Sequence, residues 1–568
     1  MVINHREYTM TNSSAKDLPL LTRRQLLQNT VAGAAMAGIS LDSLAALSEP
    51  VVKTGGGRVQ GEALGKVNRF LGIPYAQPIS GANRFMPPQP VKSWDGVFKA
   101  VKHADLAPQS ESEFIGPTPV TPAFEPPAYV HSGDNCLVLN VWAPAKVSGQ
   151  LPVMVWLHGG GWISGSGSCA IYDGENLASR GDVVVVTINH RLGASGLTDL
   201  SRVIGGKYAG SSNLGIRDML AALQWVNKNI AAFGGNPDLV TIFGESGGGW
   251  KVATMLGIPA AKGLFHRAVI ESGPLIDFME QDKADEVARA VLQELGISKD
   301  NAEKLDQLSY KNVVAAQERY SAKQPMTMNA PGFPTGFFPV LDDDLLPRHV
   351  FDPDAAPTSL DVPLMVGQTG TEFSLFMLGD KAAYSLDDAS LKMRVEKTFG
   401  ADVSEKILKT YRKDFPDYDA SGLWFRIFSD FGMGALSSAI LDARAVKGAA
   451  PVYAYRFDWL TPIDDGKLYS PHTMEIPFVF DNTTTKAGEV MTGTGPGRAE
   501  LAKTISSAWV EFARTGKPGS KGLPEWPQYD SKSRNAMHLN TKSKVMPYID
   551  EDMLEIFHKK LWQQAGKA

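Results

Sequence analysis

The sequence is poor in cysteine. Only Cys136 and Cys169 occur in 568 residues, which excludes a framework of several disulfides and leaves a single bridge allowed but not required. Their spacing also excludes a zinc site built from cysteines. A hydrophobic core must therefore hold the protein together, and the 43% of hydrophobic residues supply ample material for one.

The sequence also lacks an excess of charge of one sign. Its 56 lysines and arginines face 61 aspartates and glutamates, which gives a formal net charge of -5 without a long run of either sign. Proteins that bind nucleic acid usually carry a basic patch or stripe. We therefore expect no nucleic acid partner.

Long runs of strongly apolar residues are missing as well, even near the N-terminus. Arg23 and Arg24 precede a weakly apolar stretch of small residues over 30–47, whereas a membrane span needs about 20 strongly apolar residues. The segment resembles a twin-arginine export signal. We expect residues 1–48 to be a cleaved leader and 49–568 a single domain without a stable membrane span, periplasmic or secreted. An uncleaved amphipathic tail or anchor is the alternative.

After the leader, apolar runs alternate with amphipathic helical patterns. Apolar residues three and four positions apart between Ile216 and Ile230 predict one buried face of a helix. The alternation is typical of an α/β fold, in which helices cover both faces of a mostly parallel central sheet. Residues 274–363 and 387–446 are expected to be helical and loop insertions over a cleft. Buried strands are predicted at residues 151–157, 183–188, 239–243, 267–270, 363–366 and 452–457.

The most informative motif is the pentapeptide GESGG at residues 244–248, a G-x-S-x-G sequence. In a nucleophile elbow a strand turns sharply into a helix, and small flanking residues let the serine oxygen stand clear of the backbone. The strand predicted at 239–243 and the helical pattern at 250–256 provide this context. Ser246 is therefore the candidate nucleophile.

A second motif predicts donors for a developing oxyanion. HGGGW at residues 158–162 follows a predicted strand and matches H-G-G-G, whose backbone N–H groups face a substrate oxygen. We assign the N–H groups of Gly160, Gly161 and Gly247 to this role. Residues 165–170 formally match the dinucleotide fingerprint G-x-G-x-x-A, but the expected acidic residue at the end of the next strand is missing, so loop flexibility explains the glycines more simply.

Chain order predicts the base and the acid, since hydrolases with this elbow place them as serine, acid, histidine. His472 lies in a loop after the strand ending at Phe457, where a base could reach over the sheet edge. Glu372 follows a predicted strand through a short loop with two glycines, whereas its rivals at residues 342–344 are typical of a turn. This order allows five histidines after the elbow as candidates for the base: His266, His349, His472, His538 and His558.

Several further motifs connect these elements. Together they resemble the type-B carboxylesterases, the cholinesterase-like branch of the α/β-hydrolase superfamily, over nearly the whole chain after the leader. The resemblance implies the α/β-hydrolase fold, and it supports Glu372 and His472 as acid and base. The motifs are FLGIPYA at residues 70–76, CLVLNVW at 136–142, FGGNP at 233–237, GESGG at 244–248, GTE at 370–372 and HTMEIPFVF at 472–480.

The resemblance also implies details around the site. Ser272 would belong to the hydrogen-bond network around the acid. Cys136 is expected to be a free thiol, because Ala107 replaces the cysteine with which it often pairs in the family. Asp134 stands where relatives usually have glutamate, and an ion pair between it and Arg84 is expected.

Taken together, the elements predict ester hydrolysis that needs neither a metal nor an organic cofactor. His472 would deprotonate Ser246, which attacks a small-molecule ester and forms an acyl-enzyme, while Glu372 would orient His472. The alternatives are an amidase of the same mechanism and a non-catalytic binding module of the same fold; only the leader suggests an exported oxidoreductase. Aromatic residues that fit either a substrate pocket or the core are Trp162, Phe373, Phe376, Trp424, Phe425, Phe428 and Phe431.

Overall fold

The computed structural model describes residues 49–110, 118–147, 149–324 and 336–564. The paired arginines and the cleavage region of the predicted export signal lie outside these residues. That part of the sequence analysis therefore stays a prediction.

The strands of the described residues form one large and one small sheet. In the small sheet β1 pairs with β2 antiparallel, and β2 pairs with β5 parallel. The strands are β1 Val51–Thr54, β2 Gly57–Gln60, β3 Glu62–Ala63, β4 Val67–Pro74, β5 Val97–Lys99, β6 Val138–Pro144, β7 Leu151–Leu157, β8 Val184–Ile188, β9 Gly235–Glu245, β10 Arg267–Glu271, β11 Leu364–Thr369, β12 Val452–Phe457, β13 Asn535–Leu539 and β14 Lys544–Pro547.

The large sheet has the order β14-β13-β12-β11-β10-β9-β7-β8-β6-β4-β3 within the described residues. All neighbours from β13 to β8 are parallel. Antiparallel pairs occur only at the two ends, where β14 joins β13 and where β6, β4 and β3 follow β8. The mostly parallel central sheet of the predicted α/β-hydrolase fold is thus confirmed.

Helices connect these strands. Residues 387–446, predicted to be mainly helical, contain α8 to α11 and a short π-helix at Asp430–Gly434. The α-helices are α1 Glu175–Gly181, α2 Gly193–Leu197, α3 Leu214–Asn229, α4 Gly247–Leu256, α5 Gln281–Leu295, α6 Tyr310–Ser321, α7 Phe373–Phe376, α8 Asp388–Phe399, α9 Ala401–Asp414, α10 Ala420–Ser429, α11 Ala435–Arg444, α12 Ile476–Val479, α13 Lys486–Thr492, α14 Arg498–Thr515 and α15 Glu551–Gln564.

The central strands are apolar throughout because both of their faces are buried. Successive side chains of a strand point to opposite faces, and in β7 Val153 and Val155 join one core while Met154 and Trp156 join the other. Helix α3 packs on the first face, and α14 packs on the second. Two hydrophobic cores therefore hold the sheet rigidly between layers of helices.

The predicted strand boundaries agree closely with the structure, with one informative difference. The strands predicted at 151–157 and 452–457 coincide with β7 and β12. Strand β9 begins at Gly235, earlier than predicted, because Gly235 pairs with Leu151 across an irregular register that the local apolar pattern does not contain.

Candidate active site

The residues that the sequence singles out follow four of the five successive strands from β12 to β7 in the sheet. Ser246 directly follows β9, His158 directly follows β7, Glu372 follows β11 and His472 lies in the loop after β12. Since these strands are parallel, their carboxyl ends meet at one edge, which is where open α/β sheets bind ligands.

The turn at Ser246 is tight and strained. Ser246 has φ 58° and ψ -125°, a positive φ that is uncommon for a residue with a side chain. A Cβ atom on Gly244 would lie 2.5 Å from the carbonyl oxygen of Leu157, and one on Gly248 would lie 2.1 Å from the same oxygen. Glycine is therefore required on both sides of the serine, and the G-x-S-x-G pattern follows from this backbone contact.

Residues 158–161, which we name the glycine loop, lie against the start of α4. Gly160 and Gly161 both have positive φ, 85° and 60°. A Cβ atom on Gly247 would lie only 2.4 Å from the backbone nitrogen of Gly161. An alanine at position 247 would therefore require a displaced loop, and two of the three assigned donors, Gly161 and Gly247, lie next to each other.

The predicted acid and base are in contact. Nδ1 of His472 lies 2.5 Å from Oε2 of Glu372, and the other carboxylate oxygen of Glu372 accepts a hydrogen bond of 2.7 Å from the backbone N–H of Thr369. Both side chains are buried. The pair is thus held by the loop that carries the acid.

The other nitrogen of His472 is buried beside Glu245. Its Nε2 atom has no hydrogen-bond partner among the described residues and lies 3.3 Å from Oε1 of Glu245. His472 and Ser246 line the same cavity, although no direct hydrogen bond between them is found in the described part of the chain. Hydrogen bonds of this kind are often long without substrate and tighten in the reacting complex.

The cavity above Ser246 has a volume of about 430 Å³. Its wall is mainly apolar, with Leu106, Val120, Phe124, Leu375 and Phe376 among the lining residues. Of the aromatic residues considered from the sequence, only Phe376 lines this wall. Trp162, Phe373, Trp424, Phe425 and Phe431 are buried in the core, and Phe428 packs against it.

Three more carboxyl groups are buried around the acid and base. Burial, reinforced by nearby carboxylates, raises the pKa of Glu245 and Glu475 well above the ordinary value. Burial also raises the pKa of Glu271 to about 8, partly offset by a hydrogen bond from Trp509. Burial thus favours the neutral form of all three groups.

Glu475 is a buried carboxyl group near the acid that was not predicted from the sequence, and Ser272 contacts it. The hydroxyl of Ser272 donates to Oε1 of Glu475 at 2.8 Å, so Ser272 binds this second carboxyl group and not Glu372 itself. A signal was present, because Glu475 stands three residues after His472 in the motif HTMEIPFVF.

The expected ion pair between Arg84 and Asp134 and the expected free thiol of Cys136 are both present. Arg84 forms a two-pronged ion pair with Asp134, with distances of 2.7 and 3.1 Å. Cys136 and Cys169 are both buried and free, and burial raises the pKa of each thiol. The two hydrogen bonds from Arg84 also show that Asp134 reaches the guanidinium, although aspartate is shorter than glutamate.

The described residues contain neither a metal-binding cluster nor a membrane-spanning helix. No group of three or more histidine, cysteine, aspartate or glutamate side chains in the described ranges is arranged to hold a metal ion. Among the helices of those ranges, none combines the length and the apolar character needed to cross a membrane.

A nucleophile elbow and a glycine loop at one edge of a mostly parallel sheet define the α/β-hydrolase fold. Residues 48–557 match the profile of the carboxylesterase family. The chain belongs to this family and is a carboxylic ester hydrolase.

Relatives resemble the chain over nearly its whole length. It is 34% identical to para-nitrobenzyl esterase of Bacillus subtilis, covering 87% of this chain and 96% of that protein. It is 30% identical to phenmedipham hydrolase of Pseudarthrobacter oxydans, covering 85% and 93%.

Solved structures of esterases share the fold of this chain. A structure of PNB esterase matches with a TM-score of 0.76 at 33% identity, covering 90% of this chain and 99% of that one. An esterase from the anaerobe Clostridium hathewayi, which can hydrolyze aliphatic aromatic polyesters, matches with a TM-score of 0.76 at 32% identity, covering 90% and 98%.

Proposed function

We propose that this protein hydrolyses carboxylic esters through an acyl-enzyme on Ser246, with His472 as the base and Glu372 as the acid that orients it. One observation carries the proposal. Ser246 and His472 line one cavity, and Nδ1 of His472 lies 2.5 Å from Oε2 of Glu372, which is not among the residues that line it.

In the first half of the reaction, Nε2 of His472 takes the proton of the Ser246 hydroxyl, and Oγ attacks the ester carbonyl. The carbonyl oxygen becomes negatively charged, and the N–H groups of Gly160, Gly161 and Gly247 stabilise it. The imidazolium is stabilised by Glu372 and gives its proton to the leaving alcohol. The product of this half is the acyl-enzyme.

In the second half, water replaces the alcohol. His472 takes a proton from water, hydroxide attacks the acyl carbonyl, and the same glycine N–H groups stabilise the oxyanion. His472 then returns the proton to Oγ of Ser246, and the carboxylic acid leaves. The buried carboxylate of Glu372 favours Nδ1–H on the imidazole, which leaves Nε2 free for both proton transfers.

The cavity supports esters that carry a compact apolar group. Its volume of about 430 Å³ lies within the usual range of small-molecule sites. Related proteins are named for hydrolysis of para-nitrobenzyl esters and phenmedipham. We therefore propose esters with one aromatic group as the first substrates to test.

A hydrolysis screen tests the proposed function. Esters that differ independently in acyl and alcohol size are offered to the wild type, to Ser246→Ala and to Ser506→Ala, a control for a buried serine in α14. We expect Ser246→Ala to lose at least about 10³-fold in kcat and Ser506→Ala to keep its activity. Full hydrolysis by Ser246→Ala would exclude the mechanism.

We also propose that the mature protein is a single domain, residues 49–568, exported by the twin-arginine route. The support is the Arg23-Arg24 pair with the small-residue stretch after it. Expression in a bacterial host, followed by fractionation and N-terminal sequencing, should give a periplasmic or secreted chain that begins near residue 49. Replacement of both arginines by lysine should leave the protein uncleaved in the cytoplasm, and unchanged export would contradict the proposal.

A further inference from the structure

Lys251 lies on α4, the helix that begins directly after Ser246. Its side chain is fully buried, and its Nζ atom donates a hydrogen bond of 2.6 Å to the carbonyl oxygen of His158. No ion pair between a carboxylate and this amine is found among the described residues, and burial lowers the pKa of Lys251. A buried amine without an ion pair is uncommon. The hydrogen bond to His158 therefore indicates a specific role for this amine.

The bond joins two elements whose backbones approach closely at glycines. His158 opens the glycine loop, and the loop packs on the first residues of α4. Positions 247 and 248 have no room for a side chain there, because a Cβ atom would lie 2.4 Å from Gly161 and 2.1 Å from Leu157, respectively. Lys251 lies one turn further along the helix. Its Nζ atom links the helix to the loop through the hydrogen bond to the carbonyl oxygen of His158.

The surroundings of Lys251 favour this link. The ring of Trp162 lies 5.8 Å from Nζ, and the rings of His158 and His190 are stacked at 5.0 Å. Burial, with the nearby Lys251, lowers the pKa of both imidazoles well below the ordinary value and favours their neutral forms. An amine donates to a carbonyl whether or not it carries the extra proton, so the link persists across the working pH range.

We infer that Lys251 is a positioning residue for oxyanion stabilisation: by holding the carbonyl of His158, it fixes the glycine loop relative to Gly247. The inference rests on the proposed function, in which Gly160, Gly161 and Gly247 stabilise the oxyanion. Donors contributed by two separate elements stabilise a developing charge only if their separation is fixed. Displacement of a reacting group by about 1 Å costs up to about 10²-fold in rate.

Lys251→Met tests the inference, because methionine fills a similar volume and cannot donate. We expect kcat to fall by about 10- to 100-fold while KM stays within about threefold, since the lost interaction forms mainly in the transition state. Thr254→Val is the matched control. It removes a partly buried hydrogen bond within the same helix, from the Thr254 hydroxyl to the carbonyl of Trp250.

A trifluoromethyl ketone separates positioning from general stability. Ser246 Oγ adds to its carbonyl carbon, the serine proton passes to His472, and the carbonyl oxygen becomes an oxyanion in the glycine N–H groups. The affinity of Lys251→Met for this ketone should fall by the same factor as kcat/KM. Its affinity for the matching methyl ketone should not change, and Thr254→Val should keep both affinities.

The outcomes are distinct. If Lys251→Met keeps kcat and the affinity for the trifluoromethyl ketone within about threefold of the wild type, or loses only thermal stability, the inference is wrong. If Ser246→Ala still binds the trifluoromethyl ketone as tightly as the wild type, the proposed function fails instead. Should Lys251→Met not fold, Lys251→Gln, which keeps a shorter donor, is compared in the same assays and is expected to retain intermediate activity.

Discussion

Nδ1 of His472 lies 2.5 Å from Oε2 of Glu372, although the two residues are 100 positions apart in the chain. Adjacent parallel strands, β11 and β12, deliver the two loops to the same place. The contact is buried, so the carboxylate can act on the imidazole with little screening by water. It determines which nitrogen of His472 is free to accept a proton.

Glu372→Gln should reduce activity strongly while the fold is kept. The amide can donate to Nδ1, which would place the imidazole proton on Nε2 and remove the base. We expect kcat to fall by about 10³- to 10⁴-fold with a small change in KM. Steady-state kinetics test this, with Glu303→Gln as an exposed control, and a loss of less than tenfold would contradict the role of Glu372.

Gly247→Ala should impair this enzyme. The new Cβ atom would lie 2.4 Å from the backbone nitrogen of Gly161 and would push the glycine loop away. We expect a loss of about 1–3 kcal/mol in stability, as for other overpacked sites, together with a lower kcat. Gly379→Ala, where nothing lies within 4 Å of the added atom, is the control. Equal activity of both variants would show that the contact is not restrictive.

Glu271→Gln should change how stability depends on pH. Burial raises the pKa of Glu271 from 4.5 to about 8, so the folded state holds a proton that the unfolded state releases. This contribution is complete below about pH 4.5 and is lost as the pH rises to about 8. The glutamine keeps an oxygen that can accept from Trp509, but it has no proton to lose.

The variant should therefore gain stability relative to the wild type as the pH rises from about 5 to about 9, by a few kcal/mol. Urea unfolding at several pH values measures this difference. A constant difference between the two proteins across that range would show that Glu271 is already ionised in the folded state.

Both cysteines should be inert in the folded protein. Burial raises the pKa of Cys169 to about 12 and that of Cys136 still further, and only the thiolate reacts with disulfide reagents. A chromogenic disulfide reagent near neutral pH should label neither thiol in the native protein and both after unfolding. Rapid labelling of native Cys169, which lines the cavity wall, would contradict this account of its surroundings.

Sequence patterns predicted those parts of the site that are formed by residues close together in the chain. The residues around Ser246 form an elbow because Gly244 and Gly248 touch the carbonyl of Leu157, and such a requirement leaves a readable motif. Glu372 and His472 needed chain order and the family resemblance as well, because neither a loop glutamate nor a loop histidine is distinctive by itself.

Contacts between distant residues could not be predicted in the same way. Ser272 and Glu475 are 203 positions apart, and Lys251 and His158 are 93 apart. Each pair meets only because the sheet order brings its elements together. The aromatic residues near Trp424 show the same limit, because their helical spacing fits either a pocket or the core, and burial places them in the core.

Trapping of the acyl-enzyme tests the central claim most directly. The wild type is mixed with a para-nitrophenyl ester and quenched within the first turnover, and the digested protein is analysed by mass spectrometry. We expect the acyl group on the peptide that carries Ser246, with a burst of nitrophenol equal to the enzyme concentration and neither signal in Ser246→Ala. Steady ester hydrolysis without a burst, or an acyl group on another residue, would contradict the account.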